Sequence, residues 1–269
     1  MNSEIYASYE IYDAHAHIFP DKIVELATAN IGKFYDLGMY GVGRCEKLVE
    51  EGSKIGVKKY LVCSTATSPR QVRSINNFIS QECEKYPEFY GFGTLHAYSE
   101  EIEDELDEIR KLGLHGIKLH PDFQKFDMDC REAYKIYEMI EGELPVLIHC
   151  GDSRYEYSAP EKVANIHRDF PKLKILAAHL GGYQRWDEAL EHIKGLENVR
   201  VDTSSSMSFL GTERTREIVN KFGIENCVFG VDFPMWCHSD EFEKLLALGF
   251  SHEQNQQILS GNLKAFLNM

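Results

Sequence analysis

The stretch EIYDAHAH, residues 10–17, decides the fold and carries the first chemical signal. Its apolar residues are typical of a buried strand, and it ends on two histidines that are two positions apart. Seven more apolar runs follow, and after residue 64 their ends recur at intervals of about 24–32 residues, the length of one strand plus one helix. The seven runs are residues 58–64, 89–96, 114–120, 144–149, 173–179, 198–203 and 226–232.

Charged segments with a helical spacing of apolar residues separate these runs. Ile102, Leu106 and Ile109 share one face of such a helix. Eight strand–helix units in a chain of 269 residues predict a single (β/α)8 TIM barrel domain over residues 1–269, with a doubly wound open sheet as the alternative. We expect helices over residues 69–86, 99–112, 129–141, 160–170, 183–195, 212–222 and 239–248.

The interval between the first two runs is longer than the others. It contains a stretch rich in Phe, Tyr and Gly, residues 19–43. Because the loops that follow barrel strands surround the active site, we predict that residues 19–43 form a mobile lid over it. An ordinary packed excursion is the alternative for this stretch.

The composition excludes several classes of protein. Hydrophobic residues make up 43% of the chain, which is enough to bury a sizeable core. The 29 Lys and Arg residues against 43 Asp and Glu give a net charge of -14, which argues against a nucleic-acid partner. We expect no membrane span and, because the N-terminus lacks a basic and apolar leader, a cytoplasmic location. The seven cysteines include no Cys-x-x-Cys pair and are expected to be free thiols.

Histidines are concentrated at the ends of the predicted strands, the face on which barrel enzymes build their active sites. Alternate strand residues share a face, so four of the strand-end side chains should point into one mouth. Imidazole nitrogens with one carboxylate suit one divalent metal, zinc first, with manganese, iron or cobalt as alternatives. The candidates at these strand ends include His15, His17, His120, His149, His179 and Asp232.

Other interpretations of these residues remain open at this point. The His-x-His pair could be a hydrogen-bonded core pair, and His96 is more typical of a packing residue than of a ligand. Lys118 could form an ion pair at the barrel floor.

Five segments together resemble the amidohydrolase superfamily, in particular the branch that includes aminocarboxymuconate-semialdehyde and resorcylate decarboxylases. They are DAHAHIFP, GIKLHP, VLIHCG, AAHLGG and VFGVDFPMW, and the resemblance covers nearly the whole chain. The motifs are specific for the fold and the metal but not for the substrate. Dimers are frequent in the resembling branch, so a homodimer is expected.

The resemblance implies roles for individual residues. The ligands of the principal metal would be His15, His17, His149 and Asp232. His179 matches a residue that contacts the metal-bound water or the substrate, or that binds a second metal in binuclear members. Lys118 stands where binuclear members carry a carboxylated lysine; a bridging lysine is usually absent from the decarboxylase-like branch, so we expect one metal. His120 is a candidate substrate contact or second-metal ligand.

These residues predict a metal-dependent hydrolase that acts on a small carboxylic ester, lactone or amide through metal-activated water. Asp232 would be the proton shuttle, and His179 would stabilise charge on the attacked oxygen. The alternative is a carboxy-lyase that decarboxylates a small unsaturated or aromatic acid, and a non-catalytic metal-binding barrel is less expected. Arg154 and Arg185 are candidate partners of a substrate carboxylate and Trp236 a candidate pocket wall, although surface ion pairs and packing would also explain them.

Overall fold

The computed structural model describes residues 3–269 and contains parallel strands that form a ring. Each strand pairs with the next one in the chain, apart from β3 and β4, which are two halves of one extended segment separated by Phe92. The strands are β1 (Ile11–His17), β2 (Val57–Cys63), β3 (Phe89–Gly91), β4 (Gly93–Thr94), β5 (Ile117–Leu119), β6 (Val146–Ile148), β7 (Ile175–Ala177), β8 (Val199–Asp202) and β9 (Cys227–Val228).

Backbone hydrogen bonds complete the ring at its two interruptions. The Phe92 N–H donates to the Val62 carbonyl on one side of the β3–β4 segment, at 2.9 Å, and the adjacent Gly93 N–H donates across to β5 on the other side. The seam between the first and last strands closes where the Ala14 N–H donates to the Phe229 carbonyl at 2.9 Å. Counting β3 and β4 as one strand gives eight, which confirms the predicted (β/α)8 barrel.

Helices follow the strands nearly as predicted, although most boundaries shift by a few residues. The described helices are α1 (Ser3–Ala7), α2 (Val24–Tyr35), α3 (Cys45–Ser53), α4 (Val72–Lys85), α5 (Ile102–Lys111), α6 (Pro121–Gln124), α7 (Arg131–Ile140), α8 (Pro160–Asp169), α9 (Trp186–His192), α10 (Met207–Phe222), α11 (His238–Ala247), α12 (His252–Gln256) and α13 (Asn262–Leu267). Gly211 kinks α10 with a φ of 68°. In residues 3–269 there is no helix with both the length and the apolar character that a membrane crossing needs.

The C-terminal helix α13 closes one end of the barrel. Leu263, Phe266 and Leu267 pack into the cluster of side chains that fills the barrel interior. The Lys174 ammonium, which lies just before β7, donates to the Phe266 carbonyl at 2.6 Å. The Arg200 guanidinium lies 5.2 Å from the centre of the Phe266 ring. This end of the barrel is therefore filled with apolar side chains. The opposite end, at the carboxyl ends of the strands, is left for the active site.

We expect Phe266→Ala to lower the free energy of unfolding by about 3–5 kcal/mol, because it leaves a cavity in the barrel interior and removes the ring beneath Arg200. Chemical denaturation followed by circular dichroism measures the change. Met269→Ala is the control, since Met269 is 37% exposed and its loss should cost less than about 0.5 kcal/mol. Equal effects of the two substitutions would show that α13 does not support the barrel.

Candidate metal centre

Three of the predicted site residues lie beyond the strands, because β6, β7 and β9 end earlier than the sequence suggested. His149 is one residue past β6 and His179 two residues past β7. Asp232 is four residues past β9, in a segment that hydrogen-bonds to β1: its N–H donates to the His15 carbonyl at 2.7 Å. His179 and Asp232 have left-handed backbone, with φ of 62° and 63°, which is costly for residues other than glycine. These two side chains reach the mouth because the chain turns there, and not because of regular strand alternation.

The structure brings the four predicted ligands together at the mouth of the barrel. His15 Nε2 lies 3.2 Å from His17 Nε2, and Asp232 Oδ1 lies 3.3 Å from His17 Nε2 and 3.8 Å from His15 Nε2. His149 Nδ1 lies 3.0 Å from His179 Nε2. The His179 ring stacks on the His15 ring, with centroids 5.2 Å apart, and so joins the two groups of ligand atoms.

The outer nitrogen of three histidines faces a group that can only accept a hydrogen bond. His15 Nδ1 lies 3.1 Å from the Asp202 carboxylate, His149 Nε2 lies 2.8 Å from the Gly151 carbonyl, and His179 Nδ1 lies 3.2 Å from the Ser204 carbonyl. In a neutral imidazole only one nitrogen carries hydrogen. The hydrogen is therefore on the outer nitrogen, and the inner nitrogen presents a lone pair to the cluster.

Lone pairs that face one another at about 3 Å repel, and a cation between them removes the repulsion. The Asp232 carboxylate adds negative charge: burial opposes its ionisation, but attraction to His15 and a hydrogen bond from His17 hold its pKa well below the usual range. Neutral imidazoles with one ionised carboxylate are ligands that zinc and related divalent ions prefer. The residues present thus fit the predicted metal.

Asp202 is a buried carboxylate at the end of β8 that the sequence analysis did not identify. Its Oδ2 accepts from His15, and its Oδ1 accepts the N–H of His179 at 3.1 Å and of Ser204 at 3.0 Å. Burial opposes ionisation, but the His15 ring outweighs it and lowers the pKa of Asp202. Its position at the end of the 198–203 run was the available signal. A carboxylate of this kind fixes the tautomer and orientation of a ligand histidine.

Cys63 was also missed, at the end of β2. Its Sγ lies 3.7 Å from His17 Nδ1, and the thiol donates to the Ala16 carbonyl at 3.6 Å. Burial lowers the pKa of His17, but Cys63 and Asp232 outweigh this effect and raise it to about 9. Cys63 therefore supports the outer nitrogen of His17, as Asp202 supports that of His15.

Lys118 is fully buried on β5, with Nζ 2.9 Å from His15 Nε2. Among the side chains of residues 5–269, no carboxylate lies within ion-pair distance of its nitrogen, so these residues do not form the ion pair at the barrel floor that was the alternative. Burial lowers the pKa of Lys118, which favours the neutral amine beside the histidines. The side chain therefore faces the ligand cluster.

His120 lies between two aromatic rings. It stacks on Phe123 and His149, with centroids 3.8 and 3.9 Å away, and its Nε2 lies 2.9 Å from the Tyr35 hydroxyl. Asp122 lies beneath this stack, 3.5 Å from His149 Nε2, and accepts a hydrogen bond from Ser158. His120 thus packs against a predicted ligand from the side opposite His179.

A cavity of about 590 Å³ opens above the ligand cluster. Its floor includes His15, His17, Lys118 and His149. Residues 19–43 cover one side of it, and helix α2 supplies mostly apolar side chains to the wall. Burial raises the pKa of the Tyr35 phenol well above its usual value, so this phenol keeps its proton. The cavity-lining residues of α2 and its flanks include Ile23, Ala27, Ile31, Phe34, Tyr35 and Met39.

The structure does not bring the three predicted substrate residues into the cavity lining. Arg154 makes a bidentate pair with buried Asp152 and donates to the Phe34 carbonyl at 2.5 Å, so it fastens the end of α2. Arg185 pairs with Glu188 and with Glu156. Both guanidinium groups are therefore paired with groups of the protein itself.

Trp236 supports Asp232 through one intermediate. Its Nε1 donates to Ser205 Oγ at 2.8 Å, and the Ser205 hydroxyl donates to Asp232 Oδ2 at 2.6 Å. Trp236 therefore orients the carboxylate instead of lining the pocket. The cationic side chain that does line the cavity beyond the cluster is Lys125, just after α6.

Solved structures similar to this one share the fold along nearly the whole chain. An uncharacterised TIM-barrel protein from Bordetella bronchiseptica has a TM-score of 0.78 and 20% identity, with 96% of this chain and 98% of that chain covered. A 5-carboxyvanillate decarboxylase from Novosphingobium aromaticivorans, with bound manganese, has a TM-score of 0.73 and 15% identity, with 97% of each chain covered. A Pseudomonas putida protein proposed to be a 2-pyrone-4,6-dicarboxylic acid hydrolase has a TM-score of 0.68 and 18% identity, with 96% and 97% covered.

The sequence profile of the family described as Amidohydrolase matches residues 12–268, from the first strand of the barrel to the C-terminal helix. This match confirms the resemblance seen in the motifs and the expectation of an enzyme. The chain belongs to the amidohydrolase family.

Proposed function

We propose that the protein is a metal-dependent carboxy-lyase that removes CO2 from a small aromatic or unsaturated acid. The observation that carries this proposal is the position of the ligand cluster, at the floor of a covered and mostly apolar cavity. A volume of about 590 Å³ suits a ligand of one substituted ring. Walls of this kind strip water from a bound carboxylate, and this loss of hydration favours release of uncharged CO2.

The comparisons support ranking decarboxylation ahead of hydrolysis. Besides the carboxyvanillate decarboxylase, other similar structures are decarboxylases of dihydroxybenzoic acids. The sequence analysis ranked hydrolysis first, because motifs that are specific for fold and metal do not separate the two chemistries. The small-molecule partner that we propose is thus an aromatic acid, and the homodimer stays a prediction.

His15, His17, His149 and Asp232 would hold one divalent metal, for which the donor set suits zinc, and manganese is the second choice. When bound, such a cation supplies positive charge that holds substrate oxygens and stabilises negative charge that develops on them. His179 faces the same cluster and would contact substrate oxygen atoms. Lys118 and His179 are the residues available if a second cation binds.

Asp232 is the group that would move the proton. It is ionised in the resting protein, so it must first take a proton, from water or from a substrate hydroxyl group. The bond between the ring carbon and the carboxylate then breaks, the electron pair stays on the ring carbon, and Asp232 returns the proton to that carbon. Ser205 and Trp236 hold the other carboxylate oxygen and keep the reacting oxygen aimed at the cluster.

Hydrolysis of a small lactone, ester or amide is the second candidate. The similarity to the protein proposed to be a pyrone dicarboxylic acid hydrolase favours it. In this reaction Asp232 would take the proton of an attacking water molecule and pass it to the leaving group. Both reactions need access to the cavity, and we propose that residues 19–43 move to admit the substrate.

Freshly purified protein should contain about one equivalent of divalent metal, and His15→Ala with His17→Ala should lose it, because two of the four ligands are gone. Plasma mass spectrometry measures the content. His96→Ala is the control, since His96 is a buried strand-end histidine outside the cluster. Metal that survives the double substitution would contradict the site, and two equivalents would implicate Lys118.

Asp202→Asn should weaken metal binding about 10- to 100-fold, because the acceptor that fixes the His15 tautomer is lost. Competition with a chromogenic chelator measures the affinity. Asp152→Asn serves as the matched control: Asp152 is equally buried but pairs with Arg154 and touches no histidine of the cluster. Equal losses in both variants would reduce the role of Asp202 to general stability.

Asp232→Asn, assayed with saturating metal, should lower turnover about 100- to 10,000-fold, because the proton shuttle is removed. The assay measures CO2 release from a panel of hydroxybenzoic acids, in parallel with hydrolysis of lactones by the wild-type protein. Hydrolysis of a lactone without CO2 release from any acid would reverse our ranking. Metal content measured on the same samples separates loss of the shuttle from loss of the ligand.

A further inference from the structure

Tyr35 is the one tyrosine of helix α2, and its position is fixed from several sides. It ends the helix, and the following residue, Asp36, turns the chain with a left-handed φ of 52°. Its ring packs edge-on against Tyr183 at 5.4 Å. The neighbouring Phe34 carbonyl is held by Arg154, which is itself held by Asp152. While these contacts are in place, the phenol reaches the cavity from the end of α2.

The hydrogen bonds of His120 decide the direction of its contact with Tyr35. His120 Nδ1 accepts the Phe123 backbone N–H at 3.3 Å, as the N-cap of α6. Nδ1 must then present its lone pair, and the hydrogen of the neutral ring is on Nε2. Nε2 lies 2.9 Å from the Tyr35 hydroxyl, so His120 donates and Tyr35 Oη accepts.

Tyr35 consequently has its own hydrogen to give. His120 cannot accept it, and no other group in the described part of the chain lies within hydrogen-bond distance of the Tyr35 hydroxyl. The side chain lines the cavity together with the ligand cluster. A donor of this kind in a mostly apolar cavity favours a partner that accepts and does not donate.

We propose that the Tyr35 hydroxyl donates a hydrogen bond to an acceptor oxygen of the bound aromatic acid, a carboxylate or ionised hydroxyl oxygen, and that His120 is its positioning residue. This inference rests on the proposed function and deepens it. The stack of Phe123, His120 and His149 links the phenol to the ligand cluster, so one face of the substrate would meet metal ligands and another the tyrosine. His120 then acts through Tyr35, and a role as ligand of a second metal is not needed to explain its place.

The test compares metal-loaded wild-type protein with Tyr35→Phe, which keeps the ring and removes only the hydroxyl. Binding of 2,6-dihydroxybenzoate, measured by calorimetry, should weaken about 10- to 100-fold. Tyr183→Phe is the matched control, because its ring packs beside Tyr35 but does not line the cavity, and its affinity should match that of wild type. In the Tyr35→Phe background, His120→Asn should weaken binding far less than it does alone, because the two residues act as one unit.

Unchanged affinity in Tyr35→Phe, or equal losses in Tyr35→Phe and Tyr183→Phe, would overturn the role of Tyr35. Weaker binding in Tyr35→Phe together with no CO2 release by the wild-type protein would support Tyr35 and overturn the carboxy-lyase proposal. If the wild-type protein binds no hydroxybenzoic acid, both inferences fail.

Discussion

The site depends on one constraint: the outer nitrogen of each histidine in the cluster is already engaged. Cys63 engages the outer nitrogen of His17, whose ring donates to Asp232. A carboxylate at His15 and carbonyl groups at His149 and His179 leave the inner nitrogens of those three rings as lone pairs that face the cluster. Such an arrangement is unfavourable on its own and favourable around a cation. The positions of Asp202, Ser204 and Cys63 follow from this requirement, since each supplies an acceptor at a strand end.

Residues 19–43, which cover one side of the cavity, contrast with its charged floor. Helix α2 offers mostly apolar side chains to the cavity, and the Tyr35 hydroxyl that it sends inward meets His120. Arg154, which carries a full charge near the cavity, is neutralised by Asp152 and fastens the helix instead of facing the substrate. Apart from Lys125, the charged side chains of the cavity therefore lie at the floor, where the chemistry is proposed.

The barrel was predictable because its strand–helix units recur at a regular spacing. The four candidate ligands could be proposed because they lie at or near the ends of apolar runs. Asp202 and Cys63 end such runs as well, but a single Asp or Cys carries no pattern that separates a supporting role from packing. The partners of Arg154 and Arg185 were not predicted. Arg154 pairs with Asp152 in its own loop and with the end of α2. Arg185 pairs with Glu188 in the helix that follows it and with Glu156 in the loop after β6. Helix α2 was not predicted, because the glycines and aromatic residues of its stretch suggested a loop.

The seam that closes the barrel also carries its site. His15 and His17 lie on the first strand and Asp232 follows the last one, so the two halves of the ligand set are separated by about two hundred residues of chain. A cation bound by residues of both halves would link segments that are far apart in the sequence. Its binding free energy would stabilise the folded state. Folding must bring the first and last strands together before that metal site can form. The stability of the folded protein would then depend on the metal concentration, as its activity does.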